Sequence, residues 1–247
     1  PKGRDQIRMS LTRSYRSPSL TNLVGQPVIS SRYAAQGPNA VMNTATSPDR
    51  TGNPSLKPEL ATGIDVAYEH YLPGNGLLSA NLFYRRINNL MRTVVGAAPQ
   101  NVSWSALPRW VAAPQNIGNA TTQGIELEVN AQVTDNLSFQ GSLAYTDAIF
   151  AQWDDAPCYA RQTVAEGCIN EAQDLSGADM PNSPDWAIYL SPTYYIPVPS
   201  MPFDGFVTAS YFWRDDVQFD TANNPLLTGD AYGTFDLYTG IADRDGR

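Results

Sequence analysis

Between Thr121 and Thr146 the chain alternates apolar and polar side chains almost without a break. In "TTQGIELEVNAQV", Ile125, Leu127, Val129, Ala131 and Val133 share one parity, and Glu126, Glu128, Asn130 and Gln132 share the other. In "NLSFQGSLAYT", Leu137, Phe139, Gly141, Leu143 and Tyr145 alternate with Ser138, Gln140, Ser142 and Ala144. Successive strand side chains point to opposite faces, so a period of two over this length makes two strands, each with one apolar and one polar face. Only Thr134, Asp135 and Asn136 intervene, which predicts a hairpin. The same pattern predicts further strands near 4–14, 62–72, 77–88, 184–196, 204–214 and 231–242. Runs of ten or more residues exceed the usual five or six of soluble strands.

The connections follow a rhythm. Short ones, "PGNG" at 73–76, "TDN" at 134–136, "PVPSMPFD" at 197–204 and "DRDG" at 243–246, alternate with long ones near 15–61, 89–120, 150–183 and 215–230. All long loops therefore leave one end of the sheet. A compact soluble domain has no reason to gather its long loops there. An outer-membrane β-barrel does: its long strands join through short turns on one side and longer loops on the other, apolar side chains facing lipid and polar ones facing the lumen. Ile64, Val66 and Tyr68 are thus expected to face lipid, and Asp65 and Glu69 the aqueous interior. Tyr68, Tyr84, Tyr145, Trp186, Tyr194, Tyr211, Trp213 and Tyr232 lie toward strand ends, where interfacial girdles form. Cross-strand aromatic pairing in a soluble sheet is the competing explanation.

A net charge of -8 argues against nucleic acid as a partner and suits neutral or cationic ligands. No window approaches the roughly 20 apolar residues of a membrane helix. Cys158 and Cys168, ten apart in a loop, read as a disulfide, with two free thiols as the alternative. Zinc fits less well, because it normally takes four ligands and the only histidine, His70, lies far off on a strand. The opening "PKGRDQIRMSL" has neither an initiator methionine nor a signal-peptide layout, as expected of a segment of something longer.

Catalytic arrangements are absent. No Gly-x-Ser-x-Gly elbow occurs. Glu126 and Glu128 stand about 7 Å apart on one face, a spacing a glycosidase could use, but lumen-facing carboxylates explain them better. "WDDAP" at 153–157 and "DRDG" carry too few oxygen ligands for a calcium loop. Neither an enzymatic role nor a cofactor is expected.

The stretch "NPSLKPELATGIDVAYEHY" followed by "LLSANLFYRRINNLM" closely resembles the barrel of TonB-dependent outer-membrane receptors. "IRMSLTRSYRSPSLTNL" at 7–23, "NIGNATTQGIELEVN" at 116–130, "MPNSPDWAIYLSPTY" at 180–194 and "YGTFDLYTGI" at 232–241 extend the likeness over almost the whole chain, in the family's order. The resemblance implies a 22-stranded barrel in the outer membrane of a Gram-negative bacterium and an N-terminal plug that contacts the TonB complex. It also implies import of a scarce, bulky nutrient, with ferric siderophores the foremost cargo. The family's plug, TonB box and final aromatic-ended strand have no counterpart here. Residues 1–247 are therefore expected to be about eight strands of the barrel domain. The alternative is a self-contained eight-stranded outer-membrane barrel with a structural, adhesive or enzymatic role, because closure at eight is geometrically allowed and open edges are not tolerated in lipid.

Recognition is expected on the long loops, since binding residues concentrate on loops held by a rigid scaffold. Arg16, Arg32, Tyr33, Arg92, Trp104, Arg109, Trp110, Trp153, Tyr159 and Arg161 are the candidates, the last three beside the cysteine pair. Arginines suit anionic chelates and aromatic rings suit sugars, so these residues do not separate the two cargoes.

Overall fold

The computed structural model describes residues 4–72, 74, 76–96 and 98–243. In chain order its elements are β1 (Asp5–Arg16), α1 (Leu20–Val24), β2 (Asp49–Arg50), β3 (Glu59–Leu72), β4 (Gly76–Asn88), β5 (Met91–Val95), β6 (Val111–Asn116), β7 (Asn119–Thr134) and β8 (Leu137–Gln152). There follow β9 (Ala156–Pro157), β10 (Ala172–Gln173), β11 (Trp186–Ile196), β12 (Phe203–Arg214), β13 (Val217–Gln218), β14 (Thr228–Gly229) and β15 (Tyr232–Asp243). The long strands form one sheet in the order β1-β3-β4-β7-β8-β11-β12-β15, every neighbour antiparallel. All eight alternating segments of the sequence are strands. Of the short connections, residues 73, 75 and 244–246 lie outside the described residues.

Register carries the two faces across the whole sheet. Met9 pairs with Val66, Val66 with Leu82, Leu82 with Ile125 and Ile125 with Tyr145, and Tyr145 meets Trp186. One strand-row over, Leu127 pairs with Leu143, Leu143 with Ile188 and Ile188 with Trp213. A slip of one residue in any pair would put this apolar row on the wrong side. Tyr84, Tyr145, Trp186, Tyr211 and Trp213 gather toward the loop end of the apolar face, where Tyr145 and Trp186 pack with ring centroids 4.7 Å apart. Tyr232 departs from the expected girdle. Its register partner Arg214 belongs to the polar face, and the Arg214 guanidinium lies 4.8 Å from the Tyr232 ring centroid.

The polar face is bonded across strands. Arg8 pairs with Glu69, Arg85 with Asp65 at 3.2 Å, and Asn81 donates to Glu126 at 3.1 Å. Further along, the hydroxyls of Ser191 and Ser210 lie 3.0 Å apart and those of Thr193 and Thr208 lie 2.7 Å apart. Gly124 sits on this face under the Phe83 ring. A side chain there would meet the Tyr145 carbonyl oxygen at 2.0 Å and Phe83 Cζ at 2.8 Å, so the position demands glycine. His70 is structural, its Nδ1 2.8 Å from Asp5 Oδ1.

No second layer covers the apolar face among the described residues. Leu82 remains 55% exposed and Leu11 83%. Water would not tolerate a patch of this size, whereas hydrocarbon would. Among the described residues, no helix is long and apolar enough to cross a membrane. The sheet is also open: among the described residues β1 pairs with β3 alone and β15 with β12 alone. The eight strands do not close on themselves among the described residues, which does not favour the self-contained barrel.

Most of the buried hydrophobic residues sit in the loops or at the loop ends of the strands. Leu90, Ile117, Ala120, Phe150, Trp153, Ala156 and Leu175 form a hydrophobic cluster around the loop ends of β7 and β8. The loops are more ordered than the sequence suggested. They carry α1, a three-stranded sheet in the order β2-β6-β5, and the two-stranded pairs β9 with β10 and β13 with β14.

Replacing Leu127 with arginine should cost about 2–4 kcal/mol of folding stability in a membrane, the penalty of a charge near the bilayer midplane. Glu126→Gln, one residue away on the polar face, should cost far less. Heat-modifiable gel mobility of the two variants in native membranes checks the expected order.

Candidate functional site

The four long loops fold together over one end of the sheet, and polar groups at the strand tips stitch them. Glu59, buried at the start of β3, binds Arg16 at 2.8 Å and accepts the Met91 amide at 2.6 Å. In the "NPSLKPE" stretch, Asn53 donates to the Pro114 carbonyl at 3.0 Å and accepts the Ser55 amide at 3.0 Å. Asn116 accepts the Lys57 amide at 2.8 Å and donates to the carbonyls of Lys57 and Asn89 at 2.9 and 2.8 Å. The first and second loops are thereby joined along their bases. Gly118 turns the chain into β7 at φ +110, where a Cβ would meet the Gln152 carbonyl oxygen at 2.0 Å.

Above this seam lies a buried ion pair. Arg109 and Asp49 are both fully enclosed. The guanidinium grips the carboxylate through two atoms, Nε to Oδ2 at 2.9 Å and Nη2 to Oδ1 at 2.8 Å. Its remaining N–H groups reach the carbonyls of Val41 at 2.8 Å and Tyr33 at 3.2 Å. Asp49 also accepts the Ser30 amide at 2.9 Å and the Trp104 indole N–H at 3.0 Å. Buried Asn43 closes the cluster, accepting the Trp110 amide at 2.7 Å and donating to the Trp110 carbonyl at 2.9 Å. Burial pushes the Asp49 carboxyl upward, but Arg109, the Ser30 amide and Trp104 outweigh it and hold the group below its ordinary 3.8.

The third loop is held differently. Phe150 and Trp153 pack edge to face at 4.8 Å in the hydrophobic cluster. Cys158 and Cys168 form a disulfide, as the spacing suggested. It encloses Tyr159, Arg161 and a 3-10 turn at Val164–Glu166. Glu166 accepts the Thr163 amide at 2.7 Å, and the Thr163 amide and hydroxyl hold its carboxyl low. Burial, then the nearby Glu166 carboxylate, push the Tyr159 hydroxyl upward. Gln173 bridges to the fourth loop, donating to the carbonyls of Pro157 and Ala222, each at 2.8 Å.

Between the third and fourth loops opens a cavity of about 460 Å³ lined by Asp179, Ser183, Asp185, Asp215, Asp216 and Asn223. Burial, then Asp179, Asp215, Asp147 and Asp216, push the Asp185 carboxyl upward. Such a wall repels anions. Among the described residues no group of histidine, cysteine, aspartate and glutamate is arranged to hold a metal ion.

The structure thus sorts the ten loop candidates. Tyr33, Trp104, Arg109 and Trp110 converge around Asp49. Arg109 and Trp153 have no surface left for a ligand, and both order the loops. Arg16 is taken by Glu59, and Arg92 donates to the Met91 carbonyl at 3.0 Å. Arg32 and Arg161 are exposed, and Tyr159 is half-buried. No arginine cluster forms from these candidates. Asn43 and Asp49, which organise the loops, were not singled out from the sequence, and Asn53, Glu59 and Asn116 appeared there only within the stretches that carry the family resemblance. The partners of Asn43 and Asp49 lie up to 67 residues away, as between Asn43 and Trp110, so no local pattern marks those two.

A long-stranded antiparallel sheet with an uncovered apolar face, a bonded polar face and ordered loops at one end is the wall of a membrane β-barrel. Residues 4–244 match the family described as TonB dependent receptor-like, beta-barrel, and the chain belongs to that family. Its fold is similar to the siderophore receptor PiuA from Acinetobacter baumannii, with a TM-score of 0.57 at 21% identity over 96% of this chain and 27% of that one. It is also similar to the siderophore receptor PirA from Pseudomonas aeruginosa, with a TM-score of 0.54 at 12% identity over 98% of this chain and 34% of that one. The ferric yersiniabactin uptake receptor FyuA from Yersinia pestis matches with a TM-score of 0.53 at 13% identity, over 98% of this chain and 28% of that one. The chain therefore spans about a third or less of the length of these receptors. No curated protein sequence matches it. Family and fold are those of transport receptors.

Asp49→Asn leaves Arg109 buried without a counter-charge, and removing one partner of a buried pair costs about 3–5 kcal/mol. Hydrogen exchange should speed up in residues 29–50 and 96–112 while the amides of β7 and β8 stay protected. Because the folded pKa of Asp49 is depressed, the pair stabilises fully above the unfolded value and its contribution fades as pH falls through the lower folded one. Exchange in the same segments should therefore accelerate only below about pH 4. Replacing both Cys158 and Cys168 with serine should cost the third loop about 2–3 kcal/mol. Protease nicking between Pro157 and Gln173 reads that loss.

Proposed function

We propose that this chain is part of an outer-membrane receptor of a Gram-negative bacterium that imports a ferric siderophore with energy from the TonB complex. The observation that carries the reading is the gathering of four ordered loops at one end of a sheet whose family and structural relatives are receptors of this kind. On this reading the apolar face meets outer-membrane lipid, and further strands complete the edges at β1 and β15. A plug, outside residues 1–247, lies against the polar face and contacts TonB. The open sheet and the small share of each structural relative that is matched support that arrangement.

Of the loop candidates, all but the buried Arg109 and Trp153 retain surface for cargo, and among these Arg16 is paired with Glu59 and Arg92 with the Met91 carbonyl. The acidic cavity and the net charge of -8 favour a cargo complex that is neutral or positively charged overall. A trianionic chelate would pay a Coulomb penalty at Asp179, Asp215 and Asp216.

Deleting the gene should reduce uptake of radioactive iron carried by a neutral or cationic hydroxamate chelate to background, and collapsing the proton-motive force should do the same in wild-type cells. Uptake unchanged by deletion across hydroxamate, catecholate and carboxylate chelates would sink the proposal.

A further inference from the structure

The acidic cavity takes its carboxylates from two sides. Asp179 and Asp185 come from the third loop, and Asp215 and Asp216 from the fourth. The loops are joined across the gap by the Asn182 amide, which donates to the Gln218 carbonyl at 2.8 Å, and by Gln173, which donates to the Ala222 carbonyl at 2.8 Å. We propose that this cavity is an acid-sensitive latch: at neutral pH the facing aspartates hold the third and fourth loops apart, and proton uptake at Asp185 draws them together.

The first support is that the charges are unopposed. Among the described residues none of Asp147, Asp179, Asp185, Asp215 and Asp216 has a basic side chain within ion-pair distance. The elements around Asp185 offer it no counter-charge. β8 brings Asp147, next to the Thr146 amide that donates to the Asp185 carbonyl at 2.8 Å. β13 and β14 contribute only the uncharged Val217, Gln218 and Thr228. Arg214, at the end of β12, lies over the Tyr232 ring at 4.8 Å. Repulsion in a partly enclosed space is screened less than on an open surface.

The second is that proton uptake supplies a bond the cavity lacks. Its wall is rich in acceptors: four carboxylates, and the Oδ1 of Asn223, which is buried and has no hydrogen-bond partner among the described residues. An ionised carboxylate can only accept, whereas a protonated one also donates. One proton therefore removes a repulsion and provides a donor.

The third is that Asp185 is placed to take that proton first. Burial, then Asp179, Asp215, Asp147 and Asp216, push its carboxyl upward. The sign is opposite to that of Asp49. With a raised folded pKa, ionisation of Asp185 works against the folded loops at neutral pH, and that penalty is relieved as pH falls through the raised value toward the ordinary 3.8. A cavity of about 480 Å³ beside Tyr33 and Trp104, on the first two loops, gives the contrast: no charged side chain lines it, and the Trp104 indole is tied to Asp49 at 3.0 Å. The latch goes beyond the import reading, because it concerns how two loops answer to pH and not what they bind.

The test is hydrogen exchange on the native protein extracted into detergent, corrected for the intrinsic pH dependence of amide exchange. From neutral pH down to about 4.5, residues 172–185 and 215–229 should become several-fold more protected, while residues 29–50 and 96–112 hold steady. Asp185→Asn, uncharged like the protonated carboxyl, should show the protected state at neutral pH and lose the response. Asp154→Asn, at an exposed carboxylate elsewhere in the third loop, should respond as the wild type does. Raising the salt concentration at neutral pH should reproduce part of the acid effect, since screening weakens the repulsion. The amides of β7 and β8 report whether each variant has folded. Should Asp185→Asn not fold, the double variant Asp215→Asn, Asp216→Asn is read instead, and its response should shrink. A flat wild-type profile over this window, protection that falls with acid in the two segments, or a full response that survives these substitutions overturns the proposal. Iron uptake by wild-type and gene-deleted cells separates the readings: uptake without the exchange response defeats the latch alone, and the exchange response without uptake defeats the siderophore reading alone.

Discussion

A strand that crosses hydrocarbon has no water to satisfy its amides and carbonyls, so each must bond to the next strand. Everything else in this chain depends on that requirement. It forces continuous pairing from β1 through β15, and continuous pairing transmits one register across the sheet. The apolar row that begins at Met9 and Val66 then reaches Ile125, Tyr145 and Trp186 without changing sides. The polar row inherits the opposite face, where Arg8, Asp65, Glu69 and Arg85 neutralise one another in pairs.

The loops obey different physics. They stand outside the hydrocarbon and owe their order to a small hydrophobic cluster, one disulfide and one buried ion pair. A buried charge pair is weak grounds for net stability, because desolvation offsets most of the attraction, but it is intolerant of misplacement. Arg109 satisfies two carboxylate oxygens and two carbonyls at once, so only one arrangement of the first two loops meets all its bonds. The pair acts as a register pin for segments with no ladder to align them. The rigidity of the uncharged Tyr33–Trp104 cavity follows from it.

Two cavities of opposite character result. The acidic one lies between the third and fourth loops, whose spacing is held by Gln173 and by the bond from the Asn182 amide to the Gln218 carbonyl at 2.8 Å. The neutral one lies on the first two loops. Arginine content alone would have suggested an anion-binding mouth. The structure withdraws Arg109 from the surface against Asp49 and sets the exposed Arg16 against the largely buried Glu59.

The alternation of residues such as Ile125, Glu126, Leu127 and Glu128 determined by itself which segments are strands, which side chains of a strand share a face and which end carries the loops. A period of two is a local property, and membrane strands are long enough to display it several times over. Cys158 and Cys168 were legible for the same reason, ten residues apart in one loop. The fate of each loop residue was decided only by tertiary structure. Trp153 and Arg109 look like Trp110 and Arg32 in sequence, yet the first two are buried and the others keep exposed surface. Tyr232 shares the composition of a girdle residue but falls on the polar face because Arg214 pairs with it. Asp49 and Arg109 are 60 residues apart, and nothing in either neighbourhood encodes the other. They meet where β2 lies parallel to β6, in the small sheet that the first two loops form together.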